Sequence, residues 1–210
     1  MIDYHNAWID SLSFVFRDRF LYRPEGDVNE NKAAAEALLA RQSEMISAYG
    51  HTVVNEFPVE IYIDEKLDRS TSGAVFLIGG IPSMTVELGT GEVPDTAIIN
   101  AAVADTRNVL RFAGMLDDEM EPIEGIKVID PGFPVRRRSA LRVTEACVVE
   151  HFLEAGDSVS VGQPVAAIRD VWAPGWGKGS VFRVRWRSRR PSTRYLQISW
   201  RGDLFSCDPG

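Results

Sequence analysis

The stretch 82–114 constrains this chain more than any other. A strand-like run, Pro82-Ser-Met-Thr-Val-Glu-Leu88, closes on Gly89, and Pro94 then opens a helical stretch running to about Ala113 and stopping at Gly114. Proline suits the first turn of a helix and glycine its end. A strand that feeds straight into a helix buries both apolar faces only when the two are layered. The same alternation appears upstream. Residues 1–22 read as strand, loop and strand, the second rich in aromatics. Asn31 is placed to cap a helix that ends at Tyr49 before Gly50, with Ala35, Leu38, Leu39, Met45, Ile46 and Tyr49 close to one stripe. Residues 52–57 form a short strand, and the small-residue segment 70–80 is open between helix and loop. The expected class is α/β, with helices layered on a sheet.

The pattern changes after Leu116. Residues 117–124 are acidic and polar, and beyond Arg136 no helical stripe recurs. Residues 136–143, 146–152 and 164–168 read as short strands, with turn chemistry at 156–163. The expected organisation is one domain over 1–116, a linker over 117–135 and a small all-β, barrel-sandwich-like domain over 136–210. Charge divides the chain too. Residues 1–170 carry 28 acids and 15 bases, whereas 171–210 carry two acids and eight bases. The acidic body argues against nucleic acid as a partner, because phosphate binding needs a positive field. With 45% apolar and 25% charged residues the composition is that of a folded globular protein. No apolar run approaches the ~18–20 residues of a membrane span. Two cysteines and no basic leader at Met1 lead to the expectation of a reduced, cytoplasmic protein.

Few residues offer chemistry. Asp3 and His5 lie two apart in a strand and so share a face, where a carboxylate can orient an imidazole for metal binding. Glu87 sits near the C-terminal end of an apolar strand, where α/β sheets place their ligands, and a half-buried carboxylate there suits a general base. Arg69 is a candidate clamp for a substrate carboxylate. Arg136, Arg137 and Arg138 read as a strand start with local ion pairs. The glycines at 156 and 162 read as hairpin turns; the hairpin resembles that of biotinyl/lipoyl modules, but no lysine is presented as those carriers require. No GxSxG, P-loop, GxGxxG or CxxC motif occurs.

Taken in order, Ile2-Asp-Tyr-His-Asn6, the strand at 14–22, Ile81-Pro-Ser-Met-Thr-Val-Glu-Leu-Gly89, Val109-Leu-Arg-Phe-Ala-Gly-Met-Leu116 and the segment from Gly156 to Gln163 resemble the succinylglutamate desuccinylase/aspartoacylase family of the zinc carboxypeptidase clan. The resemblance spans residues 1–172. It implies a partial zinc-carboxypeptidase-like α/β fold, a mixed sheet flanked by helices followed by a small barrel-sandwich-like β domain, and hydrolysis of the amide of an N-acyl amino acid, with one zinc ion as cofactor, His5 as a zinc ligand and Glu87 as the catalytic base. It also implies Arg69 and Asn6 as substrate-binding residues and a small N-acyl amino acid as the partner. In the family, a His-x-x-Glu motif with the other two zinc ligands and an Asn-Arg substrate pair precede the Asp-x-His segment. This sequence starts at that segment, and His51 and His151 match no ligand position. The expectation is therefore a C-terminal portion, inactive alone and prone to self-association through an exposed sheet edge. The alternative is a non-catalytic binding protein that kept the scaffold and lost the metal site; a nucleic-acid binder using the basic tail ranks third. Beyond Trp172 the composition shifts to Arg, Ser and Trp. That shift fits either an out-of-frame reading of a GC-rich gene or a strand pair with a basic outer face, in which Phe182, Val184 and Trp186 alternate with arginines.

Overall fold

The computed structural model describes residues 1–7, 11–89, 91, 93–137 and 146–170, together with the strand segments 180–183, 194–195, 197–198 and 204–205. Its centre is a five-stranded mixed sheet. In chain order its strands are β1 (Ile2–His5), β2 (Ser13–Arg17), β3 (Thr52–Asn55), β4 (Met84–Leu88) and β5 (Val135–Arg136). Across the sheet they run β1-β4-β2-β3-β5. β1 lies parallel to β4, β4 antiparallel to β2, and β2, β3 and β5 parallel to one another. Among the described residues β1 pairs only with β4, so its outer edge is open.

The two faces of the sheet follow from the period-two alternation of its strands. Val15, Val86 and Met84 point to one face and pack with Met45, Ile46 and Tyr49 of helix α1 (Val28–Tyr49) and Val109 of helix α4 (Thr96–Phe112). Phe14, Phe16, Val54 and Val135 fill the other face. There the short helices α2 (Val59–Asp64) and α3 (Thr71–Leu77) follow β3, joined by a 3-10 turn at Leu67–Arg69. Ser83, buried before β4, ties both layers to the sheet. Its carbonyl accepts from Gln42 Nε2 at 2.7 Å, and its hydroxyl donates to the Ser72 carbonyl at 2.7 Å.

Helix ends differ from the sequence reading in instructive ways. α1 starts earlier, with Asp27 accepting from the Asn29 and Glu30 amides. Asn31 instead donates its side-chain amide back to the Arg23 and Glu25 carbonyls, stitching down the preceding loop. Gly50 ends the helix at φ 85, a left-handed conformation that glycine adopts without steric cost. α4 is capped by Asp95, which places Pro94 just outside the helix. The 70–80 segment resolves as helix because the Ser70 hydroxyl accepts from the Gly73 amide.

Residues after Leu116 run without regular structure to β5, yet they pack. A Cβ at Gly50 would meet Ile123, and the Ile129 amide donates to Thr52 Oγ1 at 2.8 Å. Val135–Arg136 belongs to the main sheet through β3, so these residues do not open a second β unit; 138–145 lie outside the described residues. Beyond them the regular elements among the described residues are strands joined by turns. β6 (Cys147–His151), β8 (Pro164–Asp170) and β9 (Ser180–Arg183) form an antiparallel sheet, and β7 (Ser158–Val159) pairs with β10 (Arg194–Tyr195). β11 (Gln197–Ile198) pairs with β12 (Leu204–Phe205). Gly156 and Gly162 take positive φ at the turns, as the glycine spacing suggests. Strand pairing therefore continues past Arg183 in short described segments as far as Phe205, while most of the tail, Val184 and Trp186 included, lies outside the described residues. Among the described residues no helix is long and apolar enough to cross a membrane.

Candidate functional site

β1 and β4 run side by side in the same direction, and their register pairs Asp3 with Thr85 and His5 with Glu87. Directly paired residues of a sheet project to the same side, and so do residues two apart along a strand. The topology thus sets Asp3, His5, Thr85 and Glu87 on one face, with His5 and Glu87 towards the C-terminal ends of their strands. Asp3 and His5 meet as their spacing suggests, with Asp3 Oδ2 3.2 Å from His5 Nε2. The imidazole is half exposed, at 51% for its side chain, and Asp3 is more sheltered at 21%. The two form a carboxylate–histidine contact on one face of β1. One carboxylate oxygen of Glu87 is buried.

The loops above the pair are also set by sequence. Gly89 follows β4 at φ 84, and a Cβ there would lie 2.8 Å from Ile98 and 3.2 Å from the Ser11 carbonyl. Glycine is required by both conformation and space. A Cβ at Gly91 would lie 3.0 Å from the Ala7 carbonyl and 3.7 Å from Asn6 Cβ. The loop leaving β4 therefore lies against the loop leaving β1, with Gly91 next to Asn6 and Ala7. Arg69 sits elsewhere. Its side chain is 77% exposed, 3.6 Å from Asp68, and lines a cleft of 740 Å³ with the segment 20–24, α1 and the α3–β4 connection; neither His5 nor Glu87 lines that cleft.

Behind Glu87 lies a polar cluster that sequence reading passed over. Thr85, two residues before Glu87, bonds Ser72 of α3 through their hydroxyls at 2.7 Å. The Tyr62 hydroxyl donates to Asp18 Oδ1 at 2.8 Å. Asp18 is buried, and burial pushes its carboxyl up to about 7, with Tyr62 and Ser72 opposing the shift and Glu56 adding to it. Glu56 in turn pairs with Arg137 Nη1 at 3.0 Å, and the Arg137 guanidinium lies over the Phe16 and Phe57 rings. Of the arginine run, Arg137 thus forms an ion pair against the core, while Arg138 lies outside the described residues. The strand alternation Thr85–Glu87 was the signal available for the missed threonine.

On the opposite face of the sheet, His51 Nε2 lies 2.5 Å from Asp105 Oδ2, both side chains fully buried, and Tyr49 packs edge-on to the His51 ring. The Asp105 carboxyl is raised by its burial, against the opposing effect of His51. This histidine serves the core.

A catalytic zinc takes three protein ligands. Among the described residues no three His, Cys, Asp or Glu side chains are grouped to hold a metal ion. The donor set present, one imidazole backed by Asp3, falls short of a complete zinc site.

The arrangement defines the chain as an α/β protein with a mixed sheet and a histidine–glutamate pair at the ends of two parallel strands. No family profile and no curated protein matches the sequence. Solved structures do match. A succinylglutamate desuccinylase from a Silicibacter species superposes with a TM-score of 0.59 at 21% identity, over 99% of this chain and 55% of that one. A succinylglutamate desuccinylase/aspartoacylase from Rhodobacter sphaeroides gives 0.63 at 17% identity, over 98% and 56%. The product-bound ectoine utilization protein of Ruegeria pomeroyi gives 0.61 at 18%, over 99% and 55%. The chain has the fold of these desuccinylase/aspartoacylase structures and spans little more than half their length.

Proposed function

We propose that this chain carries the glutamate-bearing part of an amidohydrolase that deacylates N-acyl amino acids. The observation that supports the reading is the register of His5 with Glu87 at the ends of parallel strands, within a fold shared with desuccinylase structures. In this reading Glu87 takes a proton from the attacking water at its carboxylate and returns it to the leaving amine. In the same reading Asp3 orients the His5 ring and Asn6, in the loop that follows β1, contributes to substrate binding. Zinc, which polarises an acyl carbonyl in such enzymes, would find one ligand here in His5, and the rest would come from residues outside those described. Arg69 binds a substrate carboxylate only if a substrate reaches the separate cleft it lines. The strand region after 146 as a domain of its own, and self-association through the open β1 edge, belong to the same proposal.

The test is a pair of measurements on the full chain. Zinc titration followed by NMR is expected to perturb His5 weakly, and His5→Ala to abolish the effect. Release of free amine from N-succinyl and N-acetyl amino acids is expected to be undetectable for the chain alone. Turnover that survives Glu87→Gln, or tight zinc binding that survives His5→Ala, would overturn the assignment. The lack of a three-donor group among the described residues favours one second reading, a non-catalytic binding protein on the same scaffold. It gains if N-acyl amino acids perturb Asn6 and Glu87 while zinc perturbs neither His5 nor Asp3.

A further inference from the structure

We propose that the cleft lined by Arg69 is a second binding site, at the opposite pole of the sheet from Glu87, for a small soluble acid with one carboxylate and an apolar body. The site does not depend on the reading of Glu87. The mixed sheet has two poles. β1 and β4 end at one of them, where His5 and Glu87 lie. β2 runs antiparallel to β4, and β3 and β5 run with β2, so the carboxyl ends of these three strands lie at the other. α/β sheets take their ligands outside the carboxyl ends of their strands. In this sheet that rule points to two places, and the cleft occupies the second. The segment 20–24, which leaves β2, lines it together with Gly79 and Gly80, which lead into β4.

The cleft suits a small molecule. Its volume is 740 Å³, and ligand sites of about 300–1,000 Å³ are mainly apolar with a few polar groups that fix orientation. Phe20, Tyr22, Leu38, Phe76 and Leu77 supply apolar lining, and the Phe20 and Tyr22 rings pack with centroids 5.7 Å apart. The lining is held in place before any ligand arrives. Asn31 of α1 donates to the Arg23 carbonyl at 3.1 Å and to the Glu25 carbonyl at 2.8 Å, fixing the segment that carries Tyr22 and Arg23. The Ile81 amide donates to the Val75 carbonyl at 3.2 Å, fixing the turn at the end of α3.

Charge selects the ligand. Residues 1–170 carry 28 acids against 15 bases, yet the lining holds two guanidiniums, Arg23 and Arg69, against one carboxylate, Asp68. Arg69 Nε lies 3.6 Å from Asp68 Oδ2, beyond hydrogen-bond length. Neither guanidinium donates a hydrogen bond among the described residues. A guanidinium binds a carboxylate through two parallel N–H donors, and the apolar lining gains by taking the rest of the molecule out of water. An anion without an apolar body leaves that lining wet. An apolar molecule without a charge leaves both arginines unanswered.

The experiment titrates the full labelled chain with phenylbutyrate and follows backbone amide shifts by NMR. The expected result is saturable shifts at Tyr22, Leu38, Gly79 and Gly80, with none at His5 or Glu87. Phenylbutyramide has the body without the charge, and acetate the charge without the body; each is expected to bind about tenfold more weakly or worse. Arg23→Gln and Arg69→Gln are each expected to weaken phenylbutyrate about threefold or more. Ala35→Phe, which fills the cleft from α1, is expected to abolish its binding. Equal affinity for the acid and its amide overturns the proposal. So do two arginine variants that bind as wild type does, saturable shifts confined to His5 and Glu87, or no binding to wild type. If Ala35→Phe fails to fold, the arginine variants, both at the surface, still decide. Hydrolysis is not read. Lack of turnover of N-acyl amino acids sinks only the reading of Glu87, and lack of phenylbutyrate binding sinks only the cleft.

Discussion

Replacing Asp18 by Asn should remove the pH dependence of stability that this position contributes, and the structure supplies the size. The folded-state carboxyl titrates near 7 because burial disfavours its charge, whereas an unfolded aspartate titrates near 3.9. Between those values the folded chain binds the proton and the unfolded chain does not, so stability falls as pH rises. A raised pKa therefore stabilises on the acid side, and that contribution is gone once pH passes about 7. At ~1.4 kcal/mol per unit, integration from pH 5 to pH 8 gives a loss of about 2–3 kcal/mol, most of it by pH 7. Asparagine keeps the shape and the acceptor for Tyr62 and does not titrate. The assay is urea unfolding at several pH values. The wild-type free energy minus that of Asp18→Asn should decline by about that amount across the range. Asp105, also raised by burial, contributes in the same direction but is present in both proteins and cancels in the difference. Parallel curves for the two proteins, with equal m-values, would refute the claim that Asp18 is held neutral by its surroundings.

Three further outcomes are expected. Gly73→Ala places a methyl 2.0 Å from the Leu67 carbonyl and 2.8 Å from the Tyr62 hydroxyl; overpacking of this kind costs about 1–3 kcal/mol, and thermal unfolding should show it. Asp105→Ala leaves His51 buried without its partner, and leaving a buried polar group unpartnered costs about 1–3 kcal/mol; an unfolding free energy equal to that of wild type would contradict the pairing. Asp27→Ala removes the acceptor for the Asn29 and Glu30 amides, for which about 1 kcal/mol is expected, with loss of helical circular dichroism confined to the first turns of α1.

Local chemistry made much of the fold legible. The strands at 2–5, 13–17, 52–55 and 84–88 and both long helices follow from alternation, stripes and glycine stops. What eluded sequence reading was decided by tertiary packing. Asn31 and Asp27 are both good capping residues, and the choice falls to Asp27 because Asn31 is taken by the Arg23 and Glu25 carbonyls. α2 is only six residues long and buries chiefly Tyr62, too little to print a helical stripe. β5 is two residues long, and its place beside β3 depends on residues eighty positions away. The antiparallel turn of β2 against β4 is equally unwritten in either strand, since both are apolar whichever way they run.

The candidate site was legible for the same reason that half of the fold was. Asp3 and His5, like Thr85 and Glu87, are pairs two apart in single strands, and strand geometry alone puts each pair on one face. What joined the two pairs was the parallel register of β1 with β4, a contact across about eighty residues that no local pattern encodes. Arg69 shows the converse. Eighteen positions before Glu87 in sequence, it leaves the sheet on the 3-10 turn and lines a different cleft, because α3 and the glycines before β4 intervene. Asp18 and Ser72 had no pattern to reveal them. Their meaning lies in burial, which pushes the Asp18 carboxyl up to about 7 beside the Tyr62 hydroxyl and sets the Ser72 hydroxyl against Thr85. The buried polar groups on the Thr85–Glu87 face therefore come from the residue after β2 and from α3, where the sequence alone marked no chemistry.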